Sequence, residues 1–265
     1  MKLPNRVFGI ETKRAYEDYL HKSLEKKEPQ QEPSQQLNVR ADIKEEDYIK
    51  IPSTSIVIAR QESHKGLKWE NTHCTLAENK LFMPTPALFM PYFVNVRDAA
   101  QNKITLYTTD NNPIPRNEVE DLLKYLSTNH RNGCWTWLDA RFINDDRGNA
   151  EIEYGHHPVP KGKIQGASNV LQGKRSTLER CIQDDCFVSL EFNAQGLPIK
   201  ESSHQEYKQG ENIYYMHPRN GAVAWFGADS DRAALGCGRN PSDSYPALGV
   251  FSCADLGDLQ NEPPQ

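Results

Sequence analysis

The chain has 265 residues, of which 37% are hydrophobic, with six cysteines and a formal net charge of -5 at pH 7. This length is enough for one large or two small domains with a sizeable core. The acidic balance argues against general nucleic-acid binding, which uses a basic surface. No apolar run approaches the roughly 20 residues of a membrane span. We therefore predict neither a nucleic-acid partner nor a membrane span.

The N-terminal part of the chain differs in composition from the rest. It lacks the apolar core of a signal peptide, so we expect synthesis in the cytoplasm, with display on a virion or cell left open. Residues 11–27 predict a charged amphipathic helix, and the Pro/Gln-rich residues 28–36 predict a linker. We predict an N-terminal arm at 1–37, one domain at 38–258 and a disordered tail at 259–265.

Most of the predicted elements in the main domain are short strands. These lie at 54–60, 103–109, 133–142, 187–192, 222–226 and 248–253. Residues 83–96 are apolar but contain three prolines, which predicts a buried extended segment rather than a helix. Residues 143–175 are rich in Gly and Pro, which predicts mostly loop.

The clearest helix is predicted at residues 116–127. Val119, Leu122, Leu123 and Leu126 follow the spacing of one helix face, and Asn117 with Glu120 resembles a capping box. One clear helix among short strands and long loops indicates a single domain of the α+β class.

The sequence contains few candidates for a catalytic or metal site. Cys181 and Cys186 have C-x4-C spacing but no matching second pair, which favours reduced thiols over zinc or disulfides. His156 and His157 are adjacent in a Gly/Pro-rich stretch, which favours a solvated loop, and residues 145–148 favour a turn over a calcium loop. No nucleotide-binding or hydrolase motif is present. We expect no enzyme activity, cofactor or metal.

Residues 220–250 have the composition of a recognition surface. No Lys or Glu occurs anywhere in residues 212–261. These two side chains lose much rotamer entropy when they are immobilised, so specific contacts favour Tyr, Ser, Gly, Asn, Trp and Arg instead. The alternative is a Gly-rich surface loop without a binding role.

The same stretch alternates with a period of two, which places successive side chains on opposite faces of an extended chain. One set contains most of the apolar anchors, such as Phe226, Leu235 and Cys237. The other set is chemically mixed, and it comprises Gly227, Asp229, Asp231, Ala234, Gly236, Gly238, Asn240, Asp243 and Tyr245. We predict a fixed backbone with one face whose side chains the fold does not dictate.

Residues 214–255 resemble the variable region of a diversity-generating retroelement variable protein. The likeness rests on the alternating positions and on Trp225-Phe226, Arg239-Asn240-Pro241 and Leu248-Gly249-Val250. Upstream, residues 89–107 and 134–142 resemble the scaffold of the same family. The resemblance implies a C-type lectin-like fold of the formylglycine-generating-enzyme type, with a variable region at about 217–253. In that family the variable residues derive from adenine-rich codons. Changes at the adenines of such a codon cannot give Lys or Glu when its third base is a pyrimidine.

The resemblance implies a ligand-binding protein whose partner is a protein or another cell-surface molecule. We expect aromatic anchors at Trp225 and Tyr245 and charge complementarity from the aspartates of the mixed set. The complete predicted ligand-binding set is Ala222, Ala224, Trp225, Gly227, Asp229, Asp231, Ala234, Gly236, Gly238, Asn240, Asp243 and Tyr245. The alternatives are a copper oxidoreductase using Cys181 and Cys186, or a structural virion or surface protein without a diversified site.

Overall fold

A computed structural model describes residues 47–128, 134–159, 170–229 and 231–256. The predicted N-terminal arm with its helix and linker, the domain start at residue 38 and the tail at 259–265 lie outside the described residues.

Helices and strands both contribute to the described part of the chain, so the predicted α+β class is confirmed. The helices are α1 (Trp69–Glu78), α2 (Pro86–Ala100) and α3 (Arg116–Ser127). The strands are β1 (Tyr48–Lys50), β2 (Ile56–Ala59), β3 (Trp135–Asn144), β4 (Ala150–Val159), β5 (Val170–Thr177), β6 (Cys186–Ser189), β7 (Asn212–Met216), β8 (Val223–Ala228), β9 (Ala233–Arg239) and β10 (Cys253–Asp255).

The strands form two sheets. The larger has seven strands in the order β5-β4-β3-β8-β9-β7-β6, and only β7 and β9 pair in parallel. The smaller sheet has the antiparallel order β1-β2-β10, with Cys253 opposite Ile58. The first and last described strands therefore belong to the same sheet.

The centre of the larger sheet is covered on both faces. On one face, the rings of Phe89 and Phe93 from α2 lie 5.0 and 5.4 Å from the ring of Phe226. On the other face, Trp69 of α1 and Trp137 of β3 belong to a second apolar cluster. Because β8 lies between these layers, all six of its residues are buried.

The helix α2 corrects the prediction that 83–96 is extended. Pro86 occupies the first turn, where its missing N–H costs nothing, and Thr85 caps the helix by accepting a hydrogen bond from Leu88 N at 3.3 Å. Pro91 removes only the amide that would donate to Ala87 O near the helix start. Burial of one apolar face outweighs this loss.

A long hairpin corrects the prediction that 143–175 is mostly loop, since β4 and β5 lie there. The turn predicted at 145–148 is confirmed. Asp145 Oδ1 accepts hydrogen bonds from the amides of Arg147 and Asn149 at 2.8 and 2.7 Å, and Gly148 has a φ of +83°.

The other predicted elements have mixed outcomes. Helix α3 and strands β2, β3, β6 and β8 confirm the elements predicted at 116–127, 54–60, 133–142, 187–192 and 222–226. The capping box is wrong, because the helix is capped by Pro115 without a side-chain hydrogen bond. The strands predicted at 103–109 and 248–253 are also wrong, apart from Cys253 in β10 and isolated bridges at four residues: Tyr107, Thr108, Gly249 and Val250.

Gly196 approaches the backbone of α2 closely, which predicts a large cost for Gly196→Ala. A Cβ there would lie 2.2 Å from the Pro86 carbonyl carbon, and the φ of Gly196 is +78°. We expect a loss of about 4 kcal/mol or more in the free energy of unfolding, measured by urea denaturation. Gly148→Ala is the matched control, since its φ is also positive and no described residue lies within 4 Å of such a Cβ. The control should lose only about 1–2 kcal/mol, and equal losses would contradict the role of the close approach.

Candidate functional site

The β8–β9 hairpin has the two faces that the alternation predicts. Phe226, Leu235 and Cys237 are completely buried in the main core beside α2. Trp225 and Ala234 belong to the second cluster on the opposite face. The anchors and the mixed set are therefore separated by the sheet.

Three aromatic residues form a connected layer on that opposite face, which we call the aromatic layer: Trp135, Trp225 and Tyr245. The indoles of Trp135 and Trp225 stack with centroids 4.9 Å apart and an angle of 10°. The ring of Tyr245 meets that of Trp135 edge-on with centroids 6.2 Å apart, and Tyr245 is 54% exposed. Only 9% of Trp225 is exposed, so the layer runs from a buried indole to an accessible phenol.

The segment after β9 folds back along this face. Trp135 is opposite Gly227, and backbone hydrogen bonds join Trp135 and Trp137 to Gly249 at 2.8 and 2.9 Å. These bonds return the chain to the end of β8, which explains how Tyr245 reaches Trp135. Gly227, which precedes β9, and Tyr245, which follows it, are thereby both placed next to Trp135.

Charged side chains border the aromatic layer. The guanidinium carbon of Arg239 lies 5.6 Å from the ring centroids of both Trp137 and Trp225, and Arg239 Nε lies 3.2 Å from Asp243 Oδ2. At the hairpin turn, partial burial raises the pKa of Asp229, and the charge of the neighbouring Asp231 raises it further. The positive charge of Arg232 acts in the opposite direction. The border therefore offers both charge signs.

The predicted ligand-binding residues differ widely in exposure. Asp229, Asp231, Asn240 and Tyr245 are exposed, and Gly238 and Asp243 are partly exposed. The buried members are Ala222, Ala224, Trp225, Gly227, Ala234 and Gly236. Ala224 is fully buried in the main core with Phe226, so its side chain is scaffold, and its inclusion in the set is corrected.

Trp135 and Arg239 are surface-forming residues that the predicted set omits. Trp135 alternates with Trp137 along β3, and this Trp-x-Trp spacing by itself predicts only a strand. The register that places Trp135 opposite Gly227 is a long-range pairing, so sequence spacing alone could not reveal it.

The nearest neighbours of three glycines on this face, Gly227, Gly236 and Gly238, are side chains. A Cβ at Gly236 would lie 2.1 Å from Trp225 Nε1, and one at Gly227 would lie 2.7 Å from Trp225 Cζ3. A Cβ at Gly238 would lie 3.0 Å from Arg219 Cδ. A larger residue at Gly238 would first displace the exposed side chain of Arg219, whereas one at Gly227 or Gly236 would have to displace the buried indole of Trp225. A Cβ at Gly249 would lie 2.7 Å from the Ser63 carbonyl oxygen.

A second polar cluster lies beneath α1, where His73, Asp139 of β3 and His156 of β4 are buried together. Asp139 Oδ1 lies 2.5 Å from His156 Nδ1 and 3.6 Å from His73 Nε2. Asp139 Oδ2 accepts hydrogen bonds from the amides of Gly155 and His156 at 2.8 and 3.0 Å. A register irregularity between Tyr154 and His157 turns these amides inward.

This cluster corrects the prediction of a solvated His-His loop. His157 is exposed, but His156 is only 7% exposed. Burial lowers the pKa of His73 to about 4, so its imidazole is neutral at pH 7. Burial acts in the same direction on His156, but Asp139 and Glu153 outweigh it and raise the pKa of His156. The sequence signal for this cluster is the carboxylate of Asp139, which occupies a buried position of an alternating strand.

All six cysteines are free, in agreement with the predicted reduced thiols. Burial raises the pKa values of Cys181 and Cys186, so neither is a preformed thiolate at neutral pH. Raised pKa values are the opposite of what a reactive thiol needs in the absence of a metal.

Comparisons with protein-family models, curated proteins and solved structures find no match for this chain. Among the described helices, none has the length and apolar character needed to cross a membrane. The geometry of the site therefore carries the functional argument.

Substitutions at the two ends of the aromatic layer should lower the stability of the fold by very different amounts. Trp225→Ala should lower the free energy of unfolding by about 3–5 kcal/mol, because it removes a buried indole. Tyr245→Ala should lower it by about 1 kcal/mol or less, because the phenol is mostly exposed. Urea denaturation of both variants measures the difference. A loss for Tyr245→Ala as large as that for Trp225→Ala would place Tyr245 in the core instead of on the surface.

Proposed function

We propose that this protein binds ligands reversibly through the aromatic layer and the mixed-set positions around it, and that a retroelement diversifies this surface. One observation carries the proposal: Gly238 is adjacent first to the exposed side chain of Arg219, and four more positions of the mixed set are exposed, namely Asp229, Asp231, Asn240 and Tyr245. Substitution there changes the surface before it disturbs the backbone.

The backbone under these positions is held independently of their side chains. Phe226 and Leu235 are fixed in the main core by α2 and its neighbours. Strand β9 pairs with β8 on one side and with β7 on the other. A face fixed from behind can accept many side chains, which is what a diversified binding surface requires.

The side chains of this face suit contact with another macromolecule. Tyr245 and Trp135 supply rigid aromatic area at low entropic cost, and Arg239 with Asp243 supplies paired charges at the edge. We propose a protein or another cell-surface molecule as the ligand. Because the neighbouring residues are small, affinity from a single copy would be modest and multivalent display would strengthen it.

The C-type lectin-like fold is part of the same proposal. Its support is the sequence likeness together with an α+β domain in which the late strand β10 pairs with the early strand β2. No observation on the described residues favours the copper oxidoreductase alternative that would use Cys181 and Cys186. A structural protein without a diversified site remains the outcome opposed to the proposal.

Diversification predicts a template near the gene. We expect the DNA downstream to contain a near-copy of the segment encoding residues 220–253, differing only at adenines, together with a reverse transcriptase gene. Sequencing that DNA, and the same gene from sibling genomes, tests the expectation. Variation should concentrate at the mixed-set positions and spare Phe226, Leu235 and Cys237. Uniform variation without a near-copy would favour the structural protein.

Substitution tolerance should separate Gly238 from Gly249, two glycines that both lack a left-handed φ. In Gly238→Ser, the nearest neighbour of the new Cβ is the exposed side chain of Arg219, which can move. We therefore expect a loss of about 1 kcal/mol or less in the free energy of unfolding. Gly249→Ser meets the Ser63 carbonyl and should lose about 3 kcal/mol. Urea denaturation measures both, and a Gly238→Ser variant as unstable as Gly249→Ser would contradict a substitutable face.

A further inference from the structure

No metal was expected from the sequence, but the geometry points to one: we propose that His73, Asp139 and His156 bind a single divalent transition-metal ion, Zn²⁺ foremost. The site would be structural, because it is buried and joins α1 to β3 and β4. It is separate from the proposed ligand surface and does not depend on that function.

The distances approach those of a single-ion site, and the widest separation would have to close as the ion binds. One ligand atom from each residue lies within 4.8 Å of the others. Zinc bonds of about 2.0–2.1 Å place tetrahedral ligand atoms roughly 3.3 Å apart. The 3.6 Å between His73 Nε2 and Asp139 Oδ1 is close to that value. The 2.5 Å between His156 Nδ1 and Asp139 Oδ1 would have to open by roughly 0.8 Å, within the reach of a side-chain rotation.

A polar atom without a hydrogen bond points into this cluster. His73 is 3% exposed, and its Nε2 is buried with no hydrogen-bond partner among the described residues. Buried nitrogens are nearly always satisfied in folded proteins, and an ion is one way to satisfy them. The hydrogen-bonded pair of Asp139 and His156 explains those two residues without a metal, but it does not explain His73.

The surrounding groups leave the right atoms available. Glu153 Oε2 lies 3.3 Å from His156 Nε2, and this nearby carboxylate favours a proton on Nε2, which leaves the Nδ1 lone pair for a metal. The two amides that donate to Asp139 Oδ2 fix that carboxylate and leave Oδ1 facing the histidines. In metal sites, neighbouring groups that hydrogen-bond to the ligand side chains hold those side chains in the right orientation.

Trp69 closes the cluster from the side of α1. Its ring centroid lies 4.5 Å from that of His73 and 4.8 Å from that of His156, and Trp69 is fully buried. Its backbone N–H also donates to Pro241 O at 3.2 Å. An ion beneath Trp69 would therefore stabilise the start of α1 and the segment after β9 that rests on it.

The ligand types select the metal. Two imidazoles with one carboxylate suit zinc and its first-row neighbours, whereas calcium and magnesium prefer oxygen ligands throughout. Three protein ligands leave one tetrahedral position for water. Cobalt(II) is a useful spectroscopic substitute because it accepts similar ligands.

The test begins with the full-length protein stripped by a chelator and titrated with Zn²⁺. We expect one zinc per chain after gel filtration, by elemental analysis, and a thermal midpoint that rises with zinc concentration. His73→Gln and His156→Gln should each weaken zinc affinity at least tenfold. His157→Gln is the matched control, since it makes the same change at the exposed neighbour, and it should leave affinity unchanged.

A measurement on the wild-type chain keeps the test decisive if a variant does not fold. X-ray absorption of the zinc-loaded protein should give nitrogen and oxygen neighbours only, and the cobalt form should lack a thiolate charge-transfer band. Sulfur neighbours would assign the ion to cysteines and overturn the proposal. It would also be overturned by a wild-type chain that retains no zinc, or by His73→Gln binding zinc as tightly as His157→Gln.

Discussion

The burial of β8 and β9 on both faces is the constraint on which the rest of this structure depends. Phe226 packs against α2 on one side, while Trp225 lies among Trp69, Trp137 and Trp135 on the other. A strand pair held between two apolar layers cannot shift its register without exposing one of them. The aromatic layer, the returning segment and the position of α1 all follow from that fixed register.

The helix α1 connects the two sites described above. Trp69 contributes to the apolar cluster beneath the aromatic layer, and it also covers the rings of His73 and His156. The aromatic layer and the buried polar cluster thus depend on one element, and both contact the indole of Trp69 or its neighbours.

Local patterns in the sequence predicted much of the fold, and long-range pairing accounts for most of the rest. The period of two separated Phe226 and Leu235 from the mixed set, and the helical spacing located α3. Proline content misled the interpretation of α2, because Pro86 fits the first turn of a helix. The clustering of His73, Asp139 and His156 could not be predicted, since three distant segments supply it and no spacing records their meeting.

The pairing of Ile58 with Cys253 has a consequence for biosynthesis. The smaller sheet cannot be completed until the ribosome has made the chain through β10, so the contact order of the domain is high and its folding is expected to be slow. All mixed-set positions are translated before that closing strand. Until β10 is in place, β2 pairs only with β1 and has one open edge, which promotes aggregation. Closure by β10 is thus the step that removes the open edge of β2.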